Sequence, residues 1–287
     1  MKRLISCLIL LLITITANAQ TQNLKFDLNT VFVCIDADTY NQLFDFPIIK
    51  DIFIAKNISN KTTNDSYDGK YLIGETATIE FLKPKPIKLF GDELFDFGIE
   101  FKTRNIDELS GFIQRAKAKK IIFKNDSTFV ENDGEKQIWY TSVERKSNNL
   151  AVSLLEYNKI YLQNLGFTET EINREMTYVD FNRKISGGRE YPKKFSSINS
   201  MTIEINSIDA KELIKTFELF GFKKTGKNSY KSLDFTIKML ISKNIKKIKL
   251  AKLGINLNEK MPHQTFKIGQ SIRFTTNRQF GEIIFNQ

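Results

Sequence analysis

Histidine and cysteine are almost missing from this chain of 287 residues, which has one histidine and two cysteines. The histidine, His263, follows Pro262 and is interpreted as a surface loop residue near the end of the sequence. A single imidazole placed there disfavours Ser-His-Asp and Cys-His nucleophile systems, in which histidine is the general base. The sequence also contains no G-x-S-x-G elbow and no Walker loop. No complete motif therefore commits the chain to a reaction.

A long apolar run occurs at the start of the chain, from Leu4 to Thr16. It follows the cationic start Met1-Lys2-Arg3 and precedes the small residues of Ala17-Asn18-Ala19. This pattern predicts a secretory signal peptide over residues 1–19 that is cleaved before Gln20. The run is shorter than the roughly 20 apolar residues of a membrane-spanning helix, so no transmembrane segment is expected after cleavage. The predicted location is secreted or periplasmic.

Cleavage of this leader would remove Cys7 and leave Cys34 as the remaining thiol. No intramolecular disulfide would then be possible, and stability would depend on the hydrophobic core. Cys34 belongs to the apolar run Val31-Phe32-Val33-Cys34-Ile35, which predicts a buried, unreactive thiol.

Basic residues exceed acidic ones, 43 against 33, which gives a formal net charge of +10. The densest lysine cluster, between Lys243 and Lys252, alternates with apolar residues and is interpreted as the solvated face of a strand. A basic surface that docks on an anionic envelope polymer is a weaker alternative. Nucleic-acid binding is not expected, because no recognition motif is present and the predicted location argues against it.

The order of predicted elements is similar in the two halves of the chain. In the first half a strand at Asn29–Ile35 precedes a helix around Tyr40, and extended runs follow at 70–82 and 95–102. A second helix is predicted to begin at Asn105, and a third from Leu150 to Leu165. The second half begins with a strand at 201–205, continues with a helix that ends at Gly221, and then has several strands.

A β-α-β-β-β order occurs twice in the chain. The first copy opens with Asn29-Thr30-Val31-Phe32-Val33, and its sheet closes with Ala77-Thr78-Ile79-Glu80-Phe81-Leu82. This arrangement resembles the glyoxalase and bleomycin-resistance superfamily. These proteins are also called vicinal oxygen chelate proteins. The resemblance covers most of residues 26–102 and, more weakly, 200–285, and it is closest to an uncharacterised secreted bacterial branch. It implies curved sheets around a cavity that holds a divalent metal.

In that superfamily the metal is held by a histidine of the first strand and a glutamate of a later strand. The corresponding positions here are Thr30 and Glu80 in the first copy, and Thr202 and Lys238 in the second. Three of the four expected ligands are missing, and Glu80 is the retained metal candidate. These four residues are the candidates for lining a cavity.

Hard cations accept carboxylate oxygens without imidazole, so a carboxylate-only site built from Glu75, Glu80, Glu100 or Glu156 is also conceivable. Glu80 is distinguished by its apolar neighbours in the strand, because a buried carboxylate requires a partner.

The predicted fold class is α+β, with two βαβββ glyoxalase-like modules of curved mixed sheets and a helical connector. The expected divisions are a signal peptide at 1–19, a first module at 20–145, a connector at 146–199 and a second module at 200–287. The favoured function is a non-catalytic module that binds a small molecule or an envelope component, without a cofactor and with no catalytic residue assigned. The alternative is a metal-dependent lyase, isomerase or dioxygenase with a rearranged site around Glu80.

Overall fold

The structure is a computed structural model that describes residues 24–61, 66–86, 90–132, 135–187 and 194–286. The predicted signal peptide lies outside these residues. Within them, no helix is long and apolar enough to cross a membrane.

An eight-stranded mixed sheet is built from the first half of the chain. Its strands are β1 (Phe26–Cys34), β2 (Ile54–Lys61), β3 (Ser66–Ile73), β4 (Thr78–Leu82), β5 (Phe97–Thr103), β6 (Lys124–Asn132), β7 (Glu135–Ser147) and β8 (Leu150–Tyr157). They lie in the order β2-β3-β4-β1-β5-β8-β7-β6. β1 is parallel to β4, β5 is parallel to β8, and β1 and β5 pair antiparallel at the centre. The sheet therefore contains two βαβββ units side by side.

Helices connect the first strand of each unit to its second. In the first unit these are α1 (Ala37–Gln42), a 3-10 turn (Leu43–Asp45) and α2 (Pro47–Ile52), and in the second unit α3 (Glu108–Ala118). Asp36 caps α1 by accepting a hydrogen bond from the backbone N–H of Thr39 at 2.8 Å, and Pro47 begins α2, where a missing N–H is tolerated.

A six-stranded mixed sheet follows in the second half. Its elements are β9 (Phe195–Ile205), helix α7 (Ser207–Leu219), β10 (Lys223–Gly226), β11 (Ser229–Ser232), β12 (Phe235–Ile241), β13 (Lys249–Ile268) and β14 (Ile272–Phe285). The order is β10-β11-β12-β9-β13-β14, with β12 parallel to β9. This is a further βαβββ unit, extended by the β13–β14 hairpin.

The α+β class with mixed sheets of βαβββ modules is thus confirmed, and the strand pairing gives two units in the first sheet and one in the second. The second unit, at 97–157, crosses residue 145, where the sequence suggested that a module ends. The division of the chain into domains at 145 and 199 stays a prediction.

The predicted helix from Leu150 to Leu165 is wrong over its first half, where the structure has strand β8. Leu150, Val152 and Leu154 face the main core, while Leu155 and Tyr157 face a second cluster on the other side of the sheet. A strand buried on both faces reads as a continuous apolar run, which periodicity cannot distinguish from a buried helix.

Three short helices follow β8: α4 (Lys159–Asn164), α5 (Glu169–Ile172) and α6 (Tyr178–Ile185). Asn158 ends the strand and caps α4, because its side-chain oxygen accepts from the N–H groups of Ile160 and Tyr161. We refer to α4, α5 and α6 together, residues 159–185, as the cover.

One hydrophobic core joins the inner faces of both sheets with α1, α2, α3 and α7. Phe220, just after α7, packs within 4.9 Å of Phe101 on β5 and 4.8 Å of Phe112 on α3, measured between ring centroids. A second, smaller core lies on the outer face of the eight-stranded sheet, beneath the cover. The outer face of the six-stranded sheet carries half-buried and exposed side chains instead.

Two minor predictions concern single residues. Cys34 is a free, fully buried thiol as expected, and burial raises its pKa to about 12.

His263 is exposed as expected, but it lies within β13 rather than in a loop. The pairing of β13 with β14 shifts register on both sides of Met261, which explains why Pro262 is tolerated there.

Candidate functional site

The candidate site lies on the outer face of the eight-stranded sheet. Glu80 on β4 pairs with Tyr71 on β3 and with Phe32 on β1. Its neighbours Ile79 and Phe81 point into the main core, so the two-residue repeat of the strand turns Glu80 to the opposite face. The side chain is nevertheless buried, with 8% exposure.

Tyr71 holds the Glu80 carboxylate in place. Its phenol donates a hydrogen bond of 2.5 Å to Oε1 of Glu80. Gly69, two residues earlier on β3, leaves the space for this pair, because a Cβ there would lie 2.7 Å both from that Oε1 atom and from the Tyr71 ring. The pair therefore depends on a glycine at this position.

A second carboxylate, Glu100 on β5, lies on the same face. It pairs with Thr30 on β1, next to a register shift that leaves Asn29 without a partner of its own in the ladder. The Asn29 amide turns to this face and donates to Oε1 of Glu100 at 2.6 Å and to the Thr30 hydroxyl at 3.3 Å. The bulge thus supplies a donor that a regular strand would point to the other face.

Burial raises the pKa of both carboxyls to about 7. For Glu80 the Tyr71 hydrogen bond opposes this shift and the charge of Glu100 adds to it. For Glu100 the Asn29 hydrogen bond opposes the shift and the charge of Glu144 adds to it. No lysine, arginine or histidine of the described ranges forms an ion pair with either carboxylate.

Lys102 lies two residues after Glu100 on the same face but does not neutralise it. Its ammonium donates to the backbone oxygens of Thr103 at 3.0 Å and of Met176 at 2.7 Å. Burial lowers its pKa to about 8. Lys102 thereby attaches the segment before α6 to the sheet.

The cover closes one side of the carboxylate pair. Tyr178, at the start of α6, places its hydroxyl 2.5 Å from that of Thr78, and its backbone N–H donates to Asp27 at 2.7 Å. Asp27 also accepts two hydrogen bonds from Arg104. Tyr157 of β8 stacks on Phe181 of α6 at 4.4 Å between ring centroids.

An aromatic contact closes the other side. The Phe32 ring lies above Gly98, whose missing side chain makes room for it, since a Cβ there would be 2.2 Å from the ring. Phe90 packs edge-on against Phe32 at 6.2 Å, and the Lys146 ammonium lies 4.6 Å from the centre of the Phe90 ring. Glu80 and Glu100 therefore lie between the Tyr178 side and the Phe90 side.

The other two carboxylates considered from sequence lie elsewhere. Glu75 is a loop residue that accepts a hydrogen bond from Ser196 at 3.1 Å. Glu156 accepts from the Leu109 N–H at 3.0 Å, at the first turn of α3, where a negative charge is favourable. Both have a structural role away from the site.

The residues on this face do not form the metal site that the resemblance to the glyoxalase superfamily implies. Among the described residues, no three His, Cys, Asp or Glu side chains come together in a group that could hold an ion. One oxygen of each site carboxylate already accepts a hydrogen bond, from Tyr71 and from Asn29. Two carboxylates without an imidazole fall short of the protein ligand sets that zinc and calcium sites use.

The four predicted cavity residues separate into two pairs. Thr30 and Glu80 share the outer face of the eight-stranded sheet, whereas Thr202 and Lys238 pair with each other on β9 and β12 of the six-stranded sheet. Lys238 is exposed and Thr202 half-buried.

The sequence does not predict that Tyr71, Asn29 and Tyr178 lie at this site, because their positions depend on the strand register and on the cover. For Glu100 a signal existed: Phe97, Ile99 and Phe101 flank it in the same alternation that singles out Glu80.

Comparison with known proteins gives a family. A model described as a family of unknown function, DUF5829, matches residues 28–280. The chain belongs to this family. The match includes both sheets and both site carboxylates. No curated protein matches the sequence.

Solved structures show the fold. A hypothetical protein from Staphylococcus aureus has a TM-score of 0.53 at 10% identity, covering 85% of this chain and 96% of that one. A mutant 4-hydroxymandelate synthase from Streptomyces coelicolor has 0.45 at 8% identity, covering 76% and 63%. The Mn(II)-bound glyoxalase from Novosphingobium aromaticivorans has 0.42 at 9% identity, covering 75% and 62%. At 10% identity the likeness to the Staphylococcus aureus protein concerns the fold and not the chemistry.

Proposed function

We propose that this protein binds a small organic cation on the outer face of the eight-stranded sheet, next to the cover, with Glu80 and Glu100 as its charged contacts. The observation that supports this is the pair of carboxyls itself: two acids share one covered face, and no described cation lies in ion-pair contact with them. Burial of a carboxylate without a counter-ion lowers stability. A bound cation would supply the missing charge.

The surroundings of the carboxyls suit such a ligand. Tyr71, Tyr157 and Tyr178 lie around this face, and aromatic rings attract cations through the negative charge above their planes. The pKa of Tyr157 is raised well above its ordinary value by burial and then by the charge of Glu100. The Tyr157 phenol is therefore a neutral hydrogen-bond donor at physiological pH and does not compete for the cation.

The proposed role is binding without catalysis, in the periplasm or outside the cell. The location rests on the leader at residues 1–19, and the absence of a catalytic role rests on the incomplete ligand set around Glu80. A metal-dependent enzyme around Glu80 is the alternative. One observation favours chemistry of some kind, namely that a carboxyl whose pKa is near 7 can both donate and accept a proton at neutral pH.

Calorimetric titration with matched ligands tests the binding proposal. The ligands are a primary alkylamine, an alkylguanidinium and a quaternary ammonium ion, each compared with the alcohol of equal length. We expect one cation class to bind and the alcohol not to bind. Glu80→Gln and Glu100→Gln should each weaken binding at least tenfold, and the control Glu75→Gln, a carboxylate outside the site, should not.

The pH dependence gives a second readout. Because a cation prefers ionised carboxyls and their pKa is about 7, binding should strengthen from pH 6 to pH 8, by up to about tenfold per pH unit for each proton released. Binding that is equal for amine and alcohol, or that weakens with rising pH, would refute the proposal. A stoichiometric metal found by elemental analysis in the natively purified protein, and lost in Glu80→Ala, would establish the metal-dependent alternative instead.

A further inference from the structure

A cavity of about 510 Å³ lies where α3 and α7 both end, between the two sheets. The start of β1, the residue after β5 and the β11–β12 turn complete its wall. This cavity is separate from the carboxylate pair: Phe26 of its wall belongs to the main core, on the inner side of the sheet, whereas Glu80 and Glu100 face outwards. Its volume is in the range that accommodates small organic ligands.

Basic side chains dominate the wall, which contains five of them and one carboxylate, the exposed Glu218. Lys25 and Arg104 already have ion pairs, with Glu175 at 3.0 Å and Asp27 at 2.6 Å. The other three are Arg115, Lys119 and Lys223, for which no ion pair with a described residue is found. The local charge therefore favours an anion.

Arg115 is half-buried, whereas Lys119 and Lys223 are exposed. The Arg115 Nη2 atom is buried and has no hydrogen-bond partner in the described part of the chain. A guanidinium nitrogen without an acceptor loses its hydration and gains nothing in return, so such groups require an explanation.

Carbonyl oxygens near the ends of α3 and α7 accept hydrogen bonds from backbone groups. Ala116 O accepts from Ile121 N, and Phe217 O accepts from Phe222 N.

The rest of the wall is apolar. Phe26, Leu219 and Phe220 are buried core residues whose surfaces reach this cavity. Leu233 is 62% exposed and has a φ of +52°, a backbone conformation that is unfavourable for a leucine. The positive φ belongs to the two-residue turn between Ser232 and Phe235, and this turn places the exposed Leu233 side chain at the rim of the cavity.

We propose that this cavity binds a small amphiphilic organic anion. Its carboxylate or phosphate group pairs with Arg115, Lys119 and Lys223, and its apolar body lies on Phe220 and Leu233. A planar, two-oxygen anion suits the guanidinium, which donates two parallel hydrogen bonds. This inference goes beyond the proposed cation site and does not depend on it.

Calorimetric titration of the protein with octanoate and with octyl phosphate, each compared with 1-octanol, tests the inference. We expect at least one of the two anions to bind and the alcohol not to bind, with the preferred anion identifying the head group. Arg115→Gln should weaken binding at least tenfold. Lys211→Gln, an exposed lysine on α7 outside the cavity wall, should leave it unchanged.

A second pair of variants protects the test against misfolding of Arg115→Gln. Lys223→Gln changes an exposed strand residue and should weaken binding of the anion. In the wild-type protein decanoate should bind more tightly than hexanoate, because its apolar chain is longer, and Leu233→Ser should reduce this difference in affinity. The inference is overturned by equal binding of octanol, by an affinity that is unchanged in both Arg115→Gln and Lys223→Gln, or by no binding of either anion at millimolar concentration. Glu80→Gln should not affect this titration, so failure here and failure of the cation site can be told apart.

Discussion

The outer faces of the two sheets are built by the same βαβββ arrangement, yet they carry opposite chemistry. In the eight-stranded sheet the parallel pair β1–β4 places Glu80 beside Phe32, and the cover lies over that face. In the six-stranded sheet the parallel pair β9–β12 places Lys238 beside Thr202, and Lys238 is exposed. The strand order is shared, and the cover is the difference.

Polar side chains on the uncovered face satisfy one another. Lys252 pairs with Glu282 at 2.6 Å, and the Asn199 amide donates to the Asn256 side chain at 2.6 Å. On the covered face Glu80 and Glu100 have hydrogen bonds but no counter-ion among the described residues. Water screens the charges of the uncovered face but not those of Glu80 and Glu100. A charge therefore affects the free energy of unfolding more under the cover than on the uncovered face.

The largest effect should come from breaking the packing beneath the covered face. Gly98→Ala would place a Cβ 2.2 Å from the Phe32 ring, in a buried strand at the centre of the sheet. We expect a loss of about 3 kcal/mol in the free energy of unfolding, because the Phe32 ring or the strand must shift to admit the added Cβ. Urea denaturation monitored by circular dichroism measures it.

Gly226→Ala is the matched control in the uncovered sheet. Its added Cβ would lie 3.7 Å from that of Ser229, an ordinary contact, on an exposed strand. Its effect should be below about 0.5 kcal/mol. Similar losses for the two variants would show that the covered face is not tightly packed around Phe32.

The next effect concerns the buried charge. Glu80→Gln should stabilise the protein by about 2 kcal/mol at pH 8 and change little at pH 5. The pKa of Glu80 is about 7 in the folded protein and near 4.5 when unfolded, so the folded state binds the proton more tightly. Stability of the wild-type protein therefore falls as the pH rises from 4.5 to 7, and glutamine removes this fall while still accepting the Tyr71 hydrogen bond.

Denaturation midpoints measured at pH 5, 6, 7 and 8 provide the test. A parallel dependence on pH in the wild-type protein and in Glu80→Gln would mean that Glu80 ionises as freely as a solvated carboxylate. The comparison of the two faces would then lose its electrostatic basis.

A smaller effect isolates the hydrogen bond that holds Glu80. Tyr71→Phe removes the phenol that donates to the carboxylate at 2.5 Å and that opposes the rise of its pKa. We expect the pKa of Glu80 to rise further and stability at pH 8 to fall by about 1 kcal/mol. Carbon-13 NMR titration of the glutamate side chains measures the pKa directly, and an unchanged value would assign Tyr71 a packing role.

The sequence allowed prediction of features that depend on local pattern. The first strand, the helix after it and the burial of Cys34 follow from runs of neighbouring residues. Glu80 was found because a single acid stands between Ile79 and Phe81 in an alternating strand. These signals extend over a few residues and need no knowledge of what packs above them.

The features that were missed depend on contacts between distant segments. β8 resembled a helix because the cover buries its second face, and no feature of residues 150–157 indicates a cover formed by residues 159–185. Tyr178 reaches Thr78 across 100 positions of sequence. The bulge that turns Asn29 towards Glu100 depends on the register of β1 against β5.

The smallest expected effect is on the uncovered face and completes the comparison. Glu282→Gln breaks the ion pair with Lys252, in which both side chains are more than one third exposed. Water and salt screen such pairs, so the free energy of unfolding should fall by less than about 0.5 kcal/mol, and 0.5 M NaCl should abolish even this difference. A loss comparable to the effect of Glu80→Gln would mean that this face is also shielded from water, and the cover would then not explain why the two sheets differ.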